Sequence, residues 1–107
     1  MCHVTEHPLG ESDIDCAIIT LSGRYPETGS VTNTKVKEMV YVQSGQGSIT
    51  IENKQIELNT GDLILLEPNE VYYWNGHMTL FVSCTPAWSP EQHITIPDKT
   101  EAAPHNQ

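Results

Sequence analysis

From Ile14 to Cys84 the chain is a succession of short apolar stretches cut by Gly, Pro, Asn and Asp. No stretch carries the 3.6-residue period and the caps of a helix. Ile14, Cys16 and Ile18 alternate with Asp15, Ala17 and Ile19 until Arg24-Tyr25-Pro26-Glu27-Thr28-Gly29 interrupts them. Val36 to Gln43 reads as a strand and Ser44-Gly45-Gln46-Gly47 as a turn. Ile49 and Ile51, then Ile56 and Leu58, alternate on either side of a short Asn53-Lys54 turn, which predicts a hairpin. After the Asn59-Thr60-Gly61-Asp62 turn, the unbroken Leu63-Ile64-Leu65-Leu66 run predicts a strand covered on both faces. Glu67-Pro68-Asn69-Glu70 turns the chain into Val71–Asn75, Gly76 breaks that strand, and Thr79–Cys84 forms the last clear one. About seven or eight short, evenly spaced strands predict an all-β fold, a jelly-roll-like barrel of two antiparallel sheets.

The length of 107 residues suits one domain with a core of its own. The expected layout is a flexible arm over 1–12, a barrel over 13–96 and a disordered tail over 97–107. Five Lys plus Arg against fourteen Asp plus Glu give a net charge of −9. That balance speaks against nucleic acid or an anionic membrane as a partner, since both select a basic face. Cys2, Cys16 and Cys84 are too few for a disulfide framework and form no CxxC pair. Cys84 lies in an apolar run and reads as a small core residue. The first twenty residues lack a basic start followed by a long apolar stretch, so a reduced cytoplasmic home is expected.

Two stretches resemble the paired motifs of the cupin family. Glu38 followed by Gly45 is similar to the second half of the first motif. Gly61-Asp62 leading through Leu63–Leu66 to Pro68, Val71, Tyr72 and Tyr73 is similar to the second. The resemblance covers about Ile18 to His93 and is nearest to short single-domain cupins. Those carry stretches like Gly23-Arg24-Tyr25-Pro26 and Pro86-Ala87-Trp88-Ser89-Pro90-Glu91-Gln92-His93. It implies the cupin double-stranded β-helix, and in this family usually a homodimer, but names no activity. Metal-binding cupins use three histidines and a glutamate. Here the first two histidine positions fall on Thr32 and Thr34, or on Val31 and Asn33, and the third on Tyr73; only Glu38 is kept. The second motif also holds one extra residue between Gly61 and Pro68, which predicts a bulge.

Glu38 shares a strand face with Val36, Val40 and Val42, so its carboxylate is expected to point into the barrel. If the resemblance holds, Val71, Tyr73 and Asn75 face inwards, with His77 beyond the Gly76 turn. Tyr72 and Trp74 then face outwards with Met39 and Tyr41 and suit a homodimer interface. The expected catalytic pair is Glu38 and Tyr73; the ligand-binding set is Arg24, Asn33, Glu38, Tyr73, Asn75 and His77. No cofactor is expected. A divalent metal, were one bound, would use Glu38 and His77. His3, His7, His93 and His105 are placed in solvent-exposed arms and tail, and Trp88 at one end of the barrel or in a dimer contact. Three functions stay open: binding of a sugar or carboxylic acid in the cavity, a metal-independent isomerase, epimerase or lyase using Glu38 as acid or base, and a dioxygenase-like metal enzyme.

Overall fold

The computed structural model describes residues 1–98. Its elements are β1 (Cys2–Glu6), β2 (Asp15–Tyr25), β3 (Ser30–Asn33), β4 (Lys37–Ile51), β5 (Lys54–Asn59), β6 (Leu63–Leu66), β7 (Tyr72–Thr85), a single 3-10 turn (Pro90–Gln92) and β8 (His93–Ile96). The all-β architecture is the one the sequence predicts. All eight strands belong to one hydrogen-bonded antiparallel sheet that curls on itself. Among the described residues no helix is long and apolar enough to cross a membrane.

Strand β7 is the spine. It pairs with β2 along one edge, from Asp15↔Cys84 to Tyr25↔Trp74, and with β4 along the other, from Lys37↔Thr85 to Ile51↔Tyr72. Its even-numbered residues face the interior: Tyr72, Trp74, Met78, Leu80, Val82 and Cys84 are all buried. All of these but Cys84 pack against Leu21, Val40, Val42, Ile49, Leu58 and Leu66 in one core.

Several local expectations are corrected. Ser44–Gly47 is no turn: β4 runs through it, with a register shift between Val42 and Ser44. Gly76 does not end its strand either. It lies in register with Gly23 of β2 and Gly47 of β4, so three glycines line up across three strands. A Cβ on Gly76 would sit 2.5 Å from the Gly47 Cα, so the backbones approach where no side chain fits. The hairpin is present, but its loop is Glu52-Asn53, both at positive φ as a tight two-residue turn requires. Leu63 and Leu65 point outwards and are 60% and 51% exposed, so β6 is covered on one face only. Residues 2–6, expected within the flexible arm, are strand β1 laid along β2 from Cys2↔Leu21 to Glu6↔Ala17. Of the expected tail, 99–107, with His105, lies outside the described residues.

Candidate functional site

The interior of the curl is not filled. A cavity of about 310 Å³ opens between β1, β2, β4 and β7, at the low end of the size range for small-molecule sites. Leu21, Leu80 and Val82 form its apolar floor, and Tyr25, Tyr72, Trp74 and Trp88 bring aromatic rings to it. Its ionisable groups are Glu6, Asp15, Tyr25, Glu38, Tyr72, His93 and the three cysteines; among the described residues no lysine or arginine lines it.

Glu38 reaches the cavity as its strand face demands, one step along from buried Val40 and Val42 and paired in register with Cys84 and Leu66. Burial pushes its carboxyl up from 4.5 to about 7, because the apolar walls penalise the charged form. Cys84 faces it, 5% exposed, and burial with the nearby Glu38 raises that thiol to about 11, so it stays protonated. It is the core residue that the sequence suggests.

Beside Glu38 lies a polar chain that sequence reasoning did not assemble. The Tyr25 hydroxyl is 3.2 Å from His93 Nε2, and His93 Nδ1 is 2.8 Å from Asn33 Oδ1. Asn33 donates through Nδ2 to the Tyr72 hydroxyl at 3.0 Å and accepts from Gln92 Nε2 at 3.0 Å. Four strands bring these groups together: Tyr25 ends β2, Asn33 and His93 face each other across β3 and β8, and Tyr72 begins β7. Burial lowers the His93 pKa, which favours the neutral ring. Burial raises both tyrosines, followed by Cys2 and then Glu38 for Tyr25 and by Glu38 for Tyr72, so both keep their protons. The Trp88 ring leans on His93 at 5.7 Å between centroids and walls the same cavity.

Of the predicted site residues, Glu38 lines the cavity and buried Asn33 stands directly behind it. The others are on the outer face. Arg24 lies 3.8 Å above the Tyr73 ring and donates to the Pro26 carbonyl at 2.6 Å. Asn75 is exposed, and exposed His77 pairs with Ser22 Oγ at 3.2 Å. Tyr72 and Trp74, expected outside, are inside, and Tyr73, expected inside, is outside. The cause is parity: side chains alternate along a strand, so a slip of one residue exchanges the faces. The extra residue between Gly61 and Pro68 produces that slip when positions are carried over from the motif. The apolar character of Trp74, Met78, Leu80, Val82 and Cys84 at even positions was the signal for the correct face. His93, expected in a solvent-exposed tail, lines the cavity; its place at the end of the Pro86–His93 stretch that resembles the short cupins is the signal for it.

The donor set does not fit the metal of a typical cupin. Among the described residues no three His, Cys, Asp or Glu side chains are grouped to hold an ion. Glu38 and His77 cannot share one, since His77 is in register with Gln46, far along β4 from Glu38, and on the opposite face. His93 stands near, but both its ring nitrogens are engaged.

Among solved structures the fold is similar to that of Streptomyces Pac13, a nucleoside dehydratase whose structures include complexes with uridine. The TM-score is 0.81 at 18% identity, with 94% of this chain and 83% of that one covered. It is also similar to the Clostridium difficile EutQ protein, at a TM-score of 0.69 and 13% identity over 81% of this chain and 64% of that one. A cupin protein from Bacteroides fragilis matches at a TM-score of 0.64 and 24% identity over 77% and 73% of the two chains. No curated protein matches by sequence. The sequence pattern of the cupin domain matches residues 21–81, more than half of the chain, and the chain belongs to the cupin family.

Proposed function

We propose that this cupin binds a small, uncharged, hydroxyl-bearing molecule in its cavity and moves protons on it without a metal, as a dehydratase or isomerase does. One observation carries the reading: the Glu38 carboxyl, raised to about 7, shares the cavity with a tyrosine that is hydrogen-bonded to a histidine. An acid that titrates near neutrality can give or take a proton at working pH. In a dehydration the Tyr25 oxygen takes the proton from carbon while its own hydroxyl proton passes to His93 Nε2. The carbon–hydrogen pair becomes the new double bond. Glu38 protonates the departing hydroxyl, which leaves as water with the carbon–oxygen pair. Without a leaving group the same two groups move a proton between carbons. Tyr25 thus takes the role that the sequence reading gave to Tyr73. The nucleoside dehydratase Pac13 supports this reading through shared fold alone.

The charge of the cavity narrows the ligand. Among the described residues Glu6, Asp15 and Glu38 line it with no lysine or arginine, and Arg24 is outside. A phosphate or carboxylate would enter beside like charge with no partner, so the sugar-like alternative is favoured over the carboxylic acid. Titration calorimetry with unphosphorylated sugars and nucleosides, uridine included, against their phosphates tests this. The neutral members are expected to bind at least about tenfold more tightly, the factor that about 1.4 kcal/mol supplies. Tighter binding of the phosphates, or no neutral ligand bound, would overturn it. Treatment with a chelator should leave that binding unchanged. A cytoplasmic home suits the three free thiols. A homodimer is retained as a proposal, through the outer face of β4 and β6 instead of Tyr72 and Trp74.

A further inference from the structure

Taking the cavity as the working site, as above, we infer that Gln92 and Asn33 are positioning residues that hold His93 with its ring proton on Nδ1, and thereby make Tyr25 an acceptor and Tyr72 a donor towards the ligand. The argument starts at the backbone. Gln92 is 2% exposed, and its Oε1 accepts from the amides of Lys35 at 3.2 Å and Val36 at 3.4 Å. Its own carbonyl accepts from the Thr34 amide at 2.9 Å, so the residue is tied to the β3–β4 connection at both ends.

Amide hydrogens can only donate, so the Gln92 side chain has one permitted orientation: oxygen to the backbone, Nε2 to Asn33. The Asn33 oxygen is then the acceptor of that bond, and its Nδ2 is left to donate to Tyr72. An oxygen has no proton to give, so His93 Nδ1, 2.8 Å from the same Oδ1, must carry one. In a neutral ring Nε2 is then a bare lone pair, and the only proton for the 3.2 Å contact with Tyr25 is the tyrosine's own. With its proton turned to His93, Tyr25 offers the cavity lone pairs. Tyr72 spends a lone pair on Asn33 and keeps its proton for an acceptor in the cavity. Two backbone amides of the β3–β4 connection therefore decide the polarity of two tyrosines in the site.

The test is nitrogen-15 NMR of the ligand-free protein, in which protonated and bare imidazole nitrogens resonate far apart. Wild type is expected to show His93 protonated at Nδ1. Gln92→Glu keeps both bonds to the backbone amides but can no longer donate, so Asn33 should turn over and the proton should move to Nε2. Gln92→Met removes both polar ends and should give a mixture of the two forms. Asn33→Asp still accepts from both neighbours and should keep the proton on Nδ1. Wild type protonated at Nε2 would overturn the assignment. An unchanged tautomer in whichever Gln92 variant folds, judged by a dispersed spectrum, would remove Gln92 from the role. The readout needs no ligand and no turnover, so a failure of the proposed function would leave this result standing, and the reverse.

Discussion

At the scale of single residues, Glu38 and its neighbours show what a lone acid in an apolar wall costs and enables. Its folded-state pKa of about 7 lies above the ordinary 4.5. Below the lower value both folded and unfolded chains are protonated and nothing is lost. Between the two values the unfolded chain has ionised in water while the folded one still holds its proton, and above the upper value the folded carboxyl must ionise in the cavity. The stability present in acid is therefore lost across this window, by up to about 3 kcal/mol. Glu38→Gln removes the titration. Chemical denaturation should find the variant more stable than wild type by about 2–3 kcal/mol at about pH 8.5, and equal to it near pH 4. A constant difference at both pH values would mean that the carboxyl is not desolvated. The residue itself was legible, because an acid among Val36, Val40 and Val42 on one strand face can only point inwards. Its partners were not. Tyr25, Asn33, Tyr72 and His93 are spread along the chain, and their hydrogen bonds depend on strand register that no local pattern states.

At the scale of elements, the two long strands β4 and β7 form the centre of the sheet, and their glycines are the points at which the backbones approach closely enough to exclude a side chain. Sequence reasoning read Gly47 and Gly76 as punctuation, since a glycine between apolar runs is most often a turn. Here both are mid-strand and face each other, with Gly76 at φ +135. Gly76→Ala would force a Cβ into the Gly47 backbone and an unfavourable φ, and should destabilise by about 2–4 kcal/mol in urea unfolding. A loss below about 0.5 kcal/mol would show that the strands can separate there without cost. Alternation gave the hairpin to within a residue. It failed on β6, because a run of four apolar residues reads the same whether one face is covered or two.

At the scale of the whole molecule, the sheet keeps its acidic cavity inside and an apolar strip outside. Met39 stands in register with Leu65 and Tyr41 with Leu63, and all four are exposed. Phe81 of β7 is in register with Tyr41 and extends the row, and among the described residues β6 has no further strand beyond it. An apolar row beside an open sheet edge is the kind of surface that a second copy covers. Light scattering should give twice the 11.9 kDa chain mass at micromolar concentration. Leu65→Glu, which leaves the cavity untouched, should give the single-chain mass. A monomeric wild type would remove this face as an interface.

The sequence by itself determined the class of fold, the family and the inward acid, because each depends on short-range alternation, turn residues and motif spacing that survive in one dimension. Tertiary structure decided which tyrosine of the Tyr72-Tyr73 pair meets Glu38, for which the apolar even positions of β7 were only a partial signal, and it alone decided that His93 belongs to the site. Both depend on parity and register summed over long, bent strands, where one extra residue exchanges inside for outside.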